Sequence, residues 1–85
     1  MGGKLEATLR KLISSRSITR YRLGKLIGLD TSNMTPFYES LNGKRGWRFR
    51  DLTRVLRTIN DIQPLSAAES DQIIRALLEA GNDEQ

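Results

Sequence analysis

Cysteine and histidine are both missing from the 85 residues. Without cysteine there are no disulfides and no thiolate metal ligands. Without histidine the commonest general base and the commonest metal ligand are gone. No apolar run approaches the roughly 18 residues of a membrane span. The opening "MGGKLE" has no apolar signal-peptide core, and Glu6 stands where a myristoylation site needs Ser or Thr. There is no phosphate-cradling glycine loop and no carboxylate pair placed to share a cleft. The expectation is a single cytoplasmic domain spanning 1–85, with no catalytic residues, no metal, no cofactor and no membrane partner.

What the chain does have is charge, unevenly placed. Residues 1–57 carry thirteen Lys/Arg against four acids, a balance of +9, while residues 58–85 carry one Arg against six acids, a balance of −5. A basic body with an acidic end points to a polyanionic partner for the body.

Apolar periodicity predicts five helices and no strand, an all-α chain. Leu5, Leu9, Leu12 and Ile13 make one stripe, predicting a helix over 4–14 that "SSRS" ends. Thr19 is placed to cap a second helix through Ile27, which Gly28 stops. A third carries Met34, Phe37 and Leu41 and ends at Asn42-Gly43. The fourth runs over 49–60, burying Leu52, Val55, Leu56 and Ile59, before Pro64 forbids continuation. Ser66 and Glu69 form an S-x-x-E capping box opening a fifth helix over 66–80, which Gly81 should close and after which "NDEQ" should fray.

With only two prolines in the chain, Pro36 is conspicuous among the helically spaced Met34, Phe37 and Leu41. A proline is harmless in the first turn of a helix, where its missing N–H had no intrahelical partner. The sequence therefore favours a helix starting at Asn33 or Met34 after a long turn, "GLDTSN". A start at Asp30 would kink the helix near Ser32.

Between Arg20 and Glu39 the chain reads "RYRLGKLIGLDTSNMTPFYE". Leu23, Gly24, Ile27, Gly28, Leu29, Met34 and Phe37 follow the spacing of two short helices crossing closely. Gly24 permits the approach, and Gly28 permits positive φ in the turn. This stretch, over about 20–42, resembles the helix-turn-helix of the lambda-repressor-like family of phage and bacterial regulators. The five-helix order and the basic "NGKRGWRF" loop are similar too. Pro36 departs from the family, which avoids proline in the middle of this helix.

The resemblance implies a compact five-helix DNA-binding domain. Its function would be sequence-specific binding of double-stranded DNA as a transcription regulator, a repressor, associated with the nucleoid when bound. The third helix would enter the major groove by its N-terminal end. Base contacts then fall to Thr31, Ser32, Thr35 and Pro36, with Asn33 beside them, although Ser32 and Asn33 are also strong cap residues. Arg20 and Tyr21 open the second helix, where the family contacts phosphate. Lys44, Arg45, Arg48 and Arg50 crowd the loop flanking the groove and are expected to position the duplex without reading it. Glu39 could accept from cytosine, but near phosphates it is expected rather to repel or point to solvent. Trp47 should plug the core between helices three and four, with stacking or a phosphate-facing role as its alternative.

The family pairs two motifs on a pseudo-palindromic operator, which implies a homodimer. The acidic fifth helix is the expected interface. Ile73 and Leu77 share one face and Ile74 and Leu78 the next, so one pair can close the core while Ile74 and Leu78 meet a twin. Two other functions stay open. One is an antitoxin-type protein that binds both DNA and a partner protein; the other is a protein-interaction module that binds no DNA.

Overall fold

The apolar stripe of the first helix sets the architecture. In the computed structural model, which describes residues 3–83 with side chains through residue 79, Leu5, Leu9, Leu12 and Ile13 are all buried on one side of α1 (Lys4–Ser15). Four more helices surround that stripe: α2 (Arg20–Leu26), α3 (Met34–Leu41), α4 (Phe49–Ile62) and α5 (Ala67–Asp83). A 3-10 turn, Thr31–Asn33, leads into α3, and no strand occurs among the described residues. Leu23, Met34, Phe37, Leu41, Leu52, Val55, Ile59, Ile73 and Ala76 complete one continuous core with the α1 stripe. α1 packs most extensively against α5.

Three helices end in the same way. At the end of α1, Ile18 N–H donates to Ile13 O and Ser17 N–H to Ser14 O; the equivalent pairs recur at Leu29/Gly28 after α2 and Lys44/Gly43 after α3. Each is a Schellman termination, which needs a left-handed residue just past the helix. Gly28 (φ 96°) and Gly43 (φ 80°) supply it without strain, whereas after α1 it is Ser17 (φ 56°). Ile18 thereby packs against the core.

α2 and α3 meet at Gly24. A Cβ there would lie 2.5 Å from Met34 Sδ and 3.3 Å from Phe37 Cδ2. The missing side chain lets the two short helices touch, as the apolar spacing predicts. α3 begins at Met34, so Pro36 is its third residue and interrupts no helical hydrogen bond.

Four helix ends differ from expectation. α1 runs to Ser15 rather than Ser14. α4 continues to Ile62 rather than Asn60. The Asn60 side chain acts downstream instead, its Oδ1 accepting from Leu65 N–H at 3.0 Å. α2 ends at Leu26, with Ile27 as its cap. α5 runs through Gly81 to Asp83. A glycine stops a helix only where it turns to positive φ, as at 28 and 43; within α5 it is carried at a propensity cost of about 1 kcal/mol. Of the expected frayed "NDEQ", residues 82–83 are helical and residues 84–85 lie outside the described residues.

Arg16, the cap residue of α1, has a side chain with no exposed surface. Its Nε and Nη2 donate to Gln63 O at 3.1 and 2.8 Å, and its Nη1 to Leu12 O at 3.3 Å. Nη2 and Nη1 also take Glu69 Oε1 and Oε2 at 3.0 and 3.2 Å, a two-pronged pair. Glu69 completes the predicted capping box as well: its Oε1 accepts from Ser66 N–H at 2.9 Å, while Glu69 N–H donates to Ser66 Oγ at 3.1 Å. Hydrogen bonds from Arg16 first, then from the Ser66 amide, hold the Glu69 carboxyl down at about 2.

Two outcomes should follow. Ser17→Gly removes a left-handed Cβ and should stabilise the fold by about 0.5–1 kcal/mol in urea titrations. Glu69 titrates near 4.3 in an unfolded chain, so its pairing contributes fully above about pH 5 and is lost as the pH falls toward 2. Thermal melts between pH 7 and pH 2 should therefore fall more steeply for the wild type than for Glu69→Gln. That variant should already melt lower at pH 7, because Arg16 stays buried with its partner charge gone.

Candidate nucleic-acid interface

The Schellman turn at Gly28 throws the chain clear of α2, and the 3-10 turn brings it back to start α3. Thr31, Ser32, Asn33, Thr35 and Pro36 are all exposed along this path, while Met34 and Phe37 between them are buried. The buried pair anchors the segment and leaves its polar side chains outward. Neither Ser32 nor Asn33 serves as a side-chain cap. Ser32 Oγ instead donates to Asp30 Oδ1 at 2.6 Å. That bond is the chief reason the Asp30 carboxyl sits below the ordinary carboxylate range. Asp30 is thus a fixed negative charge beside the candidate reading residues, and it sets the direction of the Ser32 hydroxyl.

At the other end of the same surface, Thr19 Oγ1 caps α2 by accepting from Arg22 N–H at 3.1 Å. Arg20 Nη1 donates to Asn42 Oδ1 at 3.1 Å, tying the start of α2 to the end of α3. Tyr21 beside it is half exposed. Lys44, Arg45, Arg48 and Arg50 are all exposed on the segment after α3. Arg45 pairs with Glu39 at 3.3 Å. Glu39 is partly exposed, as expected, and takes up part of the Arg45 charge. No carboxylate among the described residues lies within ion-pair distance of Arg48 or Arg50. Phe49 between them is 82% exposed, and no packing accounts for it.

Trp47 sits half buried against α3, edge-on to Phe37 with ring centroids 6.4 Å apart. It reaches further than a plug between α3 and α4, because its Nε1 donates to Glu6 Oε2 of α1 at 3.1 Å. The other Glu6 oxygen accepts from Gly3 N–H at 2.8 Å. One carboxylate therefore both starts α1 and pins the basic segment, and Ser40 Oγ adds a bond to Gly46 O at 3.3 Å.

No family model, curated protein or solved structure matches the chain.

Two arginines of the basic body are committed internally. Arg16 is buried, and Arg10 Nη1 donates to Leu41 O at 2.6 Å, closing the C-terminal end of α3. Two others enlarge the exposed basic surface: Arg54 and Arg57 follow Arg50 at i+4 and i+7 on α4, and all three are exposed. That spacing is visible in the sequence once the helix is known. A cleft of about 370 Å³ opens between α3 and the segment from Arg45 into α4, with Arg54 among its lining.

On α5 the four candidate apolar residues divide. Ile73 is 5% exposed and belongs to the core, joined there by Ala76 rather than by Leu77. Ile74 and Leu78 are 56% and 67% exposed, and Leu77 is 38% exposed. The three form an unpartnered apolar strip. No helix is long and apolar enough to cross a membrane, and no cluster of metal-ligating side chains occurs among the described residues.

Proposed function

We propose that the protein is a sequence-specific binder of double-stranded DNA that regulates transcription, acting as a repressor, with a lambda-repressor-like helix-turn-helix at α2 and α3. The observation that carries the reading is the outward row Thr31, Ser32, Asn33, Thr35 and Pro36, anchored from behind by buried Met34 and Phe37. Hydroxyl and amide groups in such a row can exchange hydrogen bonds with base edges. Groups suited to phosphate accompany the row: Arg20 with the Tyr21 hydroxyl beside it, and the cations Lys44, Arg45, Arg48 and Arg50, to which Arg54 and Arg57 are added. Pro36 contributes a rigid apolar surface for a thymine methyl.

Because α3 has eight residues and spans about 12 Å, one copy covers only a few base pairs. The reading therefore includes a homodimer on a pseudo-palindrome, closed through Ile74 and Leu78 on the acidic α5 region rather than through the groove-facing side. The exposed α5 strip also favours a second reading, in which the same face grips a different protein while the basic face holds DNA.

Fluorescence anisotropy with a selected duplex should show log K falling against log salt by about 0.9 per phosphate contact. Thr35→Ala should cost about 1–3 kcal/mol on the selected duplex and little on random DNA. Arg48→Ala should weaken both alike and shallow the slope. A flat salt response, or no binding at low salt, excludes the DNA reading.

The dimer is checked separately. Leu78→Asp should leave a folded monomer, by circular dichroism and sedimentation, with much weaker binding to a full palindrome. A wild type that sediments as a monomer on that palindrome excludes the twofold arrangement.

A further inference from the structure

The cleft beside α3 combines features that a phosphate-binding surface alone does not need. Its volume, about 370 Å³, falls in the range of small-molecule sites. Phe37 and Trp47 line it together with Leu29 and Ile27, giving it an apolar and partly aromatic wall. Arg45, Arg48 and Arg54 line it too, against the single carboxylate of Asp51, so its charge is net positive. The wall is held in place: Trp47 is tied to Glu6, and the backbone of Gly46 to Ser40. Asn33 and Pro36, from the candidate reading row, complete the lining.

We infer that this cleft binds a small planar aromatic anion, its ring against Phe37 and Trp47 and its carboxylate or phosphate group on the guanidinium groups of Arg48 and Arg54. An arginine fork suits both anionic groups, and arginines beside an aromatic wall suit a flat ring. A neutral aromatic makes no ionic contact with the arginines, and a small inorganic anion leaves the apolar wall unused. Both should bind poorly. The occupant would use Arg48 and sit against Asn33 and Pro36. Binding of the anion and binding of DNA therefore oppose each other, a coupling that rests on the DNA reading above.

Trp47 is the only tryptophan, so its indole N–H gives one resonance in a proton–nitrogen correlation spectrum. Titration of the full chain with 1-naphthoate should shift that resonance saturably, with a dissociation constant of about 1 mM or tighter. Arg54→Ala and Arg48→Ala should each weaken it about tenfold or more, and 1-naphthalenemethanol should give no saturable shift. Absence of saturation with 1-naphthoate, equal binding of the neutral alcohol, or indifference to both arginine substitutions overturns the site. In a second arm, saturating 1-naphthoate should lower duplex affinity at constant ionic strength. A duplex affinity that does not change overturns the coupling. A wild type that binds no duplex at all overturns the DNA reading, and the spectrum alone then decides the cleft.

Discussion

A guanidinium group inside an apolar core must find partners for its donors, and in this chain that demand falls on Arg16. A charge left unpaired at such a site is far costlier than any surface pair is helpful. The partners available to Arg16 are the last turn of α1, the carbonyl of Gln63 and the carboxylate of Glu69. Satisfying them fixes where α1 stops, how the chain passes from α4 to α5 and where α5 begins. Gln63 must be extended to present its carbonyl, and the following Pro64 favours that conformation. The α1–α5 pair made rigid in this way is the frame against which α3 is seated.

The same economy of polar groups runs through the basic region. Residues that look alike in the sequence have been divided between holding the fold and facing outward. Arg10 closes α3, Arg20 joins α2 to α3, and Arg45 is shared with Glu39. Arg48, Arg50, Arg54 and Arg57 face solvent on α4 and its approach, as do Lys11, Arg22, Lys25 and Lys44 elsewhere. Lys4 and Arg16 are paired with Glu79 and Glu69 of the acidic end, so a charge tally over 1–57 overstates the field available to a partner. Arg48, Arg50, Arg54 and Arg57 add positive charge along α4 and its approach. In the proposed function this is the side on which a phosphate backbone would lie.

Much of the fold was legible because it rests on local rules. The α1 stripe, the Thr19 cap, the Ser66–Glu69 box, the glycine turns at 28 and 43 and the late start of α3 around Pro36 each follow from a few neighbouring residues. The close approach at Gly24 was legible too, since only a residue without a side chain fits under Met34. Pairings across long sequence separations were not: nothing near Arg16 announces Glu69, and nothing near Trp47 announces Glu6. At the candidate interface, the exposed row from Thr31 to Pro36 follows from its spacing around Met34 and Phe37. The Ser32–Asp30 bond, the committed arginines and the cleft do not, because they depend on which side chains meet in space. Helix ends were misjudged where the signal residue had another use, as Asn60 does, or where a glycine was merely tolerated, as at Gly81.

The pairing of Lys4 with Glu79 at 3.1 Å brings residues 75 positions apart into contact. It lies at the far end of the α1–α5 pair from Arg16 and Glu69, so the two helices run antiparallel along their whole contact. The segment from α2 through α4 is thus a long excursion whose two ends are joined. Closing that loop carries an entropy cost that the short-range helix contacts do not. Contacts so remote in sequence slow folding relative to the local turns. Glu69 reaches Arg16 only when α5 is packed on α1, so closing this loop and pairing the buried charge are a single event.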